Sequence, residues 1–321
     1  MPGFSPTRDA VLLSGAVVFG GLIASLLPVV GFPLAAAGLA GLIFRGRVVL
    51  AAFAAGMAVA IGTFMLPPGA MLLAPGFVAL LFAVGGMQRR PALVGVTFLT
   101  AVFAAGRLAS SALTAWLRGT TFLVQTREAA QAAVTGFVEA AGGANADGTL
   151  FGVEPDVLAD VMFRLWPVDY FASALIAAVL SIAVAGWAAS RTGAEVQRLP
   201  RLDALDLSPH VLWPFIGAFV FLAAGRAMGE GAVATTVGLN LLLGVRLLLL
   251  AQGLGVVSAF YRRIGFGKWL RGIGYVLLVI ADSIVPLISI VGLIDFWANF
   301  RKLPREDSSA TERVEDGDGG N

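Results

Sequence analysis

The chain has no cysteine, a single histidine (His210) and only two lysines among its 321 residues, and it is short of charge altogether. The missing cysteine excludes disulfides, cysteine-based zinc and iron–sulfur sites, lipoprotein anchoring and thiol catalysis. One histidine excludes a multi-histidine metal centre within the chain. No GxxxxGK[ST], HExxH or GxSxG run occurs, so neither a phosphate-binding loop nor the familiar zinc-protease or serine-hydrolase sites are present. The expectation is a protein that is not an enzyme and carries no cofactor and no metal.

What is abundant is apolar. Hydrophobic residues make up 58% and charged residues 13%, against about 45–50% and about 25% in soluble domains; the mean hydropathy is +0.87. Uncharged runs longer than the ~18 residues that mark a membrane helix recur along the chain. The ~10-residue alternating segments of a β-barrel do not. The fold class read from this is all-α: a polytopic integral membrane bundle of eight or nine transmembrane helices, with the lipid bilayer as its surroundings.

Val11–Phe44 is uncharged for 34 residues, about 51 Å as one helix. That exceeds a secretory signal core and the ~30 Å hydrocarbon layer. Pro28, Gly31 and Pro33 predict two short helices joined by a tight turn. Further spans are expected near 48–66, 70–87, 92–117, 168–190, 211–227, 232–261 and 272–298. Residues 1–117 thus form N-terminal transmembrane helices and 167–302 C-terminal ones. Between them, 118–166 reads as an amphipathic insert around the flexible run Gly142–Gly148. In its second half Val157, Leu158, Val161, Met162 and Leu165 recur at helical spacing opposite Asp156, Asp160 and Arg164. Residues 303–321, acidic and nearly without apolar side chains, read as a disordered tail.

Twenty of the 22 basic residues are arginines, clustered in short loops. This is the orientation signal of a multi-pass protein of the cell's inner membrane rather than a nucleic-acid footprint. It places the N-terminus in the cytoplasm and the insert, net −4 from Arg118 to Asp169, outside. Nine simple crossings would leave Arg301 and Lys302 outside, against the same rule. Either one predicted crossing is two half-helices, or the tail lies outside; the first is the reading favoured here. The expected break is in Ala232–Tyr261, at Gly244 and Arg246, because halves of 272–298 are about 18 Å long and too short to cross. With that break the C-terminus lies in the cytoplasm.

Ionisable residues at mid-membrane cost roughly 2.5–3.5 kcal/mol each and face a partner or a wet cavity. Arg226 lies near a membrane edge and can snorkel. Arg107 lies deeper, beside Ser110 and Ser111. Arg246 and Asp282 sit near the centres of consecutive long spans with opposite charge. Pro286 has no N–H to give the carbonyl of Asp282, so one residue offers a carboxylate and a freed acceptor together. Tyr275, Asp282 and Ser289, seven apart, are expected along one face of a single kinked crossing. Asn240 and Gln252, six residues either side of Arg246, point in different directions, which predicts a helix surrounded by protein or broken. The candidate binding residues are therefore Arg246, Asp282, Gln252, Asn240, Tyr275, Ser289 and Arg107. Small residues such as Ala51–Ala60, and the pairs Ala105/Ala109 and Gly106/Ser110, read as helix-packing faces.

The C-terminal third, with Asn240, Gln252-Gly253, a basic break, a proline-bearing span, and Gly292-Leu293-Ile294-Asp295 running into Phe300-Arg301-Lys302, resembles the YybS-like family of bacterial membrane proteins. That family is grouped distantly with the substrate-capturing S components of energy-coupling-factor transporters and with MreD-like cell-shape proteins. The resemblance implies a helical bundle able to form a membrane-embedded pocket. It marks Gln252, Gly253, Gly292, Asp295, Arg301 and Lys302 as motif positions and implies no catalytic residue. Two readings follow. One is a transport-related, solute-binding subunit with Arg246 and Asp282 lining the pocket. The other is a structural or assembly protein of the envelope, its charges holding helices together and its insert and tail meeting other membrane or envelope proteins.

Overall fold

The computed structural model describes residues 6–66, 68, 70–140, 149, 153–229 and 232–303. The run Gly142–Gly148 and the acidic tail from Pro304 lie outside them. The chain divides into two compact units, Met1–Leu199 and Pro200–Asn321.

The first unit holds α1 (Pro6–Ala24), α2 (Pro28–Ile43), α3 (Val48–Met65), α4 (Ala70–Gly86), α5 (Ala92–Leu117), α6 (Phe122–Ala140), α7 (Pro155–Arg164) and α8 (Trp166–Ser190). The long uncharged run is indeed two helices. Proline at the first position of α2 loses no intrahelical bond, because that N–H would be unpaired anyway. α1 and α2 then touch backbone to backbone: a Cβ on Gly31 would stand 2.0 Å from the Ala24 nitrogen. Within lipid no water is released when helices meet, so association rests on close contact of small residues. Ala51, Ala54, Ala55 and Ala58 of α3 are all buried, as are Ala35, Ala36 and Ala40 of α2. Phe32 fills the centre, stacked on Phe103 at 4.2 Å and edge-on to Phe77 at 6.0 Å. Of the two small pairs on α5, only Gly106/Ser110 packs: Gly106 is buried against Leu72 and Ser110 bonds the Pro68 carbonyl at 2.8 Å, whereas Ala105 and Ala109 are exposed.

α6 and α7 of the insert are joined by Arg127, which reaches Asp160 at 3.3 Å and lies over Phe163 at 4.8 Å. The amphipathic segment is helical as expected; Val157, Val161 and Met162 of its apolar stripe are exposed, and Ala159 is the buried residue of α7.

The second unit holds α9 (Leu212–Met228), α10 (Val233–Arg263), α11 (Lys268–Ile284) and α12 (Leu287–Ala298), preceded by two 3-10 turns at Leu202–Ala204 and Pro209–Val211. Two expectations are corrected here. α10 runs unbroken through Gly244 and Arg246 for 31 residues. The break falls instead at Pro286, where α11 and α12 meet at a 97° bend. Pro286 cannot donate to the turn before it, and Val285 is already extended (φ −129°, ψ 119°), as a residue before proline prefers.

Six helices among the described residues are long and apolar enough to cross a membrane, seven if α11 and α12 are taken as one span, and α2 and α4 are shorter apolar helices. Only 11–39% of each candidate span is buried by the rest of the chain. Outward faces carry Phe19, Phe53, Phe82, Trp187, Trp213 and Trp269. Apolar surface on this scale suits a hydrocarbon surround, where it carries no cost. The chain is a polytopic helical membrane protein.

Candidate functional site

The break at Pro286 is fixed to α10 by one side chain. Arg246 Nη2 donates to the backbone carbonyl of Asp282, the carbonyl that Pro286 leaves without a donor, and lies 3.5 Å from Asp282 Oδ2. Asp282 also reaches forward across the bend. Its Oδ1 accepts from the Ser289 N–H at 2.9 Å and its Oδ2 from the Ser289 hydroxyl at 2.7 Å. Ser289 is the third residue of α12, so the carboxylate caps that helix at its positive end. Asp282 is 1% exposed and is the one buried residue of α11.

The two half-helices leave and regain the same end of α10. α11 starts five residues after Arg263, passes Tyr261 with Tyr275 (ring centroids 5.6 Å apart) and meets Arg246 with Asp282. α12 then returns past Leu249 and Gly253 toward Gly255, and Arg263 donates to the Phe300 carbonyl at 3.3 Å. The element is a helical hairpin bent by 97° at Pro286, with both of its ends near the Arg263 end of α10.

Five of the six motif positions carry the return leg. A Cβ on Gly253 would lie 2.0 Å from the Ile288 carbonyl oxygen, and one on Gly292 would lie 2.0 Å from that of Leu249. The two glycines let α10 and α12 touch through their backbones. Three residues on, Asp295 is fully buried. Its Oδ2 accepts from Gln252 Nε2 at 3.1 Å and from Arg301 Nη2 at 2.7 Å, and its Oδ1 accepts from the Phe300 N–H at 2.9 Å. The Arg301 guanidinium donates further to the carbonyls of Leu205 and Asp203. Gln252 Oε1 accepts from the Leu207 N–H at 3.1 Å. Lys302 stands apart, exposed in a turn with φ +55°.

The segment between Arg201 and Leu207 is the part that sequence reasoning missed. It was read only as a basic loop, yet Asp203, Asp206 and the carbonyl of Leu205 complete the cluster; an irregular loop has no periodicity to betray it. Asp203 pairs with Arg262 and lies 3.4 Å from Arg201 Nε. Burial pushes its carboxyl upward, but the Arg262 hydrogen bond and the charges of Arg201 and Arg262 outweigh this and hold it below its ordinary 3.8. A lowered native pKa contributes stability that is complete above 3.8 and is lost as pH falls through the native value. Hydrogen-exchange protection factors of residues 201–207, corrected for the intrinsic pH dependence of exchange, should therefore be flat from pH 7 to 5 and fall relative to those of α10 below about 4, and Asp203→Asn should abolish that acid-specific step.

Three candidates lie elsewhere. Asn240 donates to the Thr236 carbonyl of its own helix at 2.8 Å, away from Arg246. Tyr275 faces Tyr261 rather than Ser289, because the bend takes Ser289 off the helix that Tyr275 and Asp282 share. Arg107, in the first unit, bonds Asp169 at 2.9 Å and Ser173, and lies 4.4 Å over the Tyr170 ring. Among the described residues no three carboxylate or imidazole groups lie close enough to share a cation.

No curated protein and no solved structure matches the chain. A family model described as "Predicted membrane protein (DUF2232)" matches residues 12–296, a stretch that contains the Arg246–Asp282–Ser289 lock and the Gln252–Asp295 contact. The chain belongs to this family of predicted membrane proteins, DUF2232.

Proposed function

We propose that the chain is a transport-related, non-enzymatic protein of the cell's inner membrane, in which the α11–α12 hairpin is the working element and the Arg246–Asp282–Ser289 lock holds its tip. The observation that carries this is the interrupted backbone beside the middle of α10. Irregular backbone at membrane depth is tolerated only where protein encloses it or a cavity adjoins it. Half-helix ends at that depth are where transporters place their solute sites. The resemblance to the YybS-like family, and through it to transporter S components, points the same way. Arg246, with about a third of its side chain still exposed, is the residue through which a solute would meet the lock.

The hairpin also removes the conflict in the orientation signal. With α1–α5 and α8–α10 each crossing once and the hairpin returning to its own side, every arginine-rich loop and Arg301–Lys302 are cytoplasmic. The insert is then outside. The chain's lack of cysteine permits a direct check. In intact cells a membrane-impermeant maleimide should label a Gln131→Cys variant, and a Lys302→Cys variant only after lysis. Labelling of the second in intact cells would overturn the orientation.

A second reading has an observation of its own: both carboxylate oxygens and the carbonyl of Asp282 are engaged by the protein. A purely structural protein of the envelope, in which these contacts only pack helices, would look the same there. Exchanging Arg246 and Asp282 does not separate the readings, because an arginine at 282 cannot accept from Ser289. Native mass spectrometry of the gently extracted full chain does. Transport predicts a retained small molecule whose occupancy falls about tenfold, or ~1.4 kcal/mol, in Asp282→Asn, which keeps an acceptor for the Ser289 N–H. A wild-type spectrum with no retained mass, together with a lowered melting temperature for Asp282→Asn, would leave the structural reading standing.

A further inference from the structure

At one end of the α4–α5 hairpin the first unit carries a groove that none of the contacts above uses. It has a volume of about 220 Å³, and Phe82, Met87, Val94, Phe98 and Ile182 form its walls, with Arg90 as its only charged lining residue. Phe82, Val94 and Phe98 are exposed on the outer surface, so the groove opens sideways on the apolar face of the helices. Its depth comes from missing side chains: Gly86 and Gly95 line it, and a Cβ on Gly86 would meet nothing nearer than 3.8 Å.

The rim has the opposite character. Arg89 and Arg90 are exposed, and neither guanidinium is engaged by a carboxylate or carbonyl among the described residues. Other arginines of this unit do have partners: Arg45 holds Asp9, Arg107 holds Asp169, and Arg191 lies over Trp187. Beside Arg90, α5 begins at Ala92 with no side chain capping its first N–H groups, so its positive end faces the same rim. Residues that directly follow one apolar helix and precede a 26-residue apolar helix stand at the level of the lipid headgroups.

We propose that this is a binding site for an anionic phospholipid, with one acyl chain along the groove and its phosphate between Arg89, Arg90 and the start of α5. The volume is below the roughly 300–1,000 Å³ of pockets that enclose compact ligands. A chain that needs cover on one side only, and stays in lipid on the other, fits it. The two free cations select the charge of the head, since a zwitterionic lipid offers them no net attraction. The groove selects a lipid over a free phosphate, because an anion alone gains nothing from the apolar walls.

The test uses the full-length purified chain, delipidated and titrated in native mass spectrometry with phosphatidylglycerol, with phosphatidylcholine of the same acyl chains, and with glycerophosphate. Phosphatidylglycerol should bind in preference to phosphatidylcholine and glycerophosphate should not bind. The Arg89→Gln/Arg90→Gln pair should weaken phosphatidylglycerol by about fivefold per arginine removed. Gly86→Leu, which fills the groove and leaves both arginines in place, should weaken it as well. Both sets of positions are exposed or open, and an unchanged melting temperature verifies folding. Equal binding of the two lipids, equal binding of glycerophosphate, or variants that match wild type would each overturn the proposal.

Discussion

Arg301→Ala should destabilise the purified chain by about 3–5 kcal/mol, the cost of leaving one member of a buried ion pair unpaired. The Arg301 side chain is 1% exposed and the Asp295 side chain is fully buried. Removing the guanidinium takes two hydrogen bonds from one carboxylate oxygen and strands the carbonyls of Asp203 and Leu205. Gln252 and the Phe300 N–H remain on Asp295, but neither brings positive charge. Arg301→Lys should rescue little. An ammonium is a point charge, and it cannot span a carboxylate on one side and two carbonyls on the other as a planar fork does. Asp295→Ala combined with Arg301→Ala should cost less than the sum of the two, because each single change leaves the other charge buried. Thermal unfolding in detergent reads all four proteins, and an Arg301→Ala protein that melts with wild type would refute the role given to the cluster.

Gly253→Ala and Gly292→Ala should each cost at least the ~1–3 kcal/mol of an overpacked core, although each adds a single methyl group. The added carbon would stand 2.0 Å from a backbone carbonyl oxygen on the opposite helix. A backbone atom has no rotamer into which to withdraw, so α10 and α12 must separate. Gln252 and Asp295 lie next to this crossing, and their 3.1 Å hydrogen bond would be drawn out with it. Gly272→Ala on α11 is the internal control. Nothing lies within 4 Å of its new carbon, and alanine there should stabilise by about 0.5–1 kcal/mol through helix propensity alone. If Gly253→Ala and Gly272→Ala behave alike, the close crossing is not what holds the hairpin.

The hairpin shows how far local rules reach. Asp282 and Pro286 are four apart, and that spacing alone states that a carbonyl loses its donor; the mid-span placement of opposite charges on consecutive helices points to Arg246 as the counter-ion. Both hold, the first because a helical hydrogen bond involves only residues i and i+4. What happens after the proline is a different matter. A kinked crossing and a sharp return both satisfy the same local bonding. The choice falls to contacts distant in sequence: Gly253 against Ile288 and Gly292 against Leu249, some forty residues apart, and Arg301 locked to the loop at Asp203–Leu207, nearly a hundred residues away. The same limit explains Ser289. Heptad spacing places it on the face of Tyr275 and Asp282 only while the helix continues, and the bend instead delivers it to the carboxylate directly.

Composition and periodicity were sufficient for a cysteine-free, polytopic helical membrane protein, for the position of nearly every helix, and for the Arg246–Asp282 pair. The first two follow from hydropathy and helix length, which act over a few turns of chain, and the pair from two opposite charges placed near mid-span on consecutive helices. The tertiary structure alone decided that α10 is continuous, that α11 and α12 form a hairpin sharply bent at Pro286, that Gln252, Asp295 and Arg301 share one buried cluster with Asp203 and Asp206, and that Asn240, Tyr275 and Arg107 do not join it. These depend on which backbones can approach within van der Waals contact and on where a buried charge finds its partner. Both are properties of segments far apart in sequence, and no local pattern encodes them.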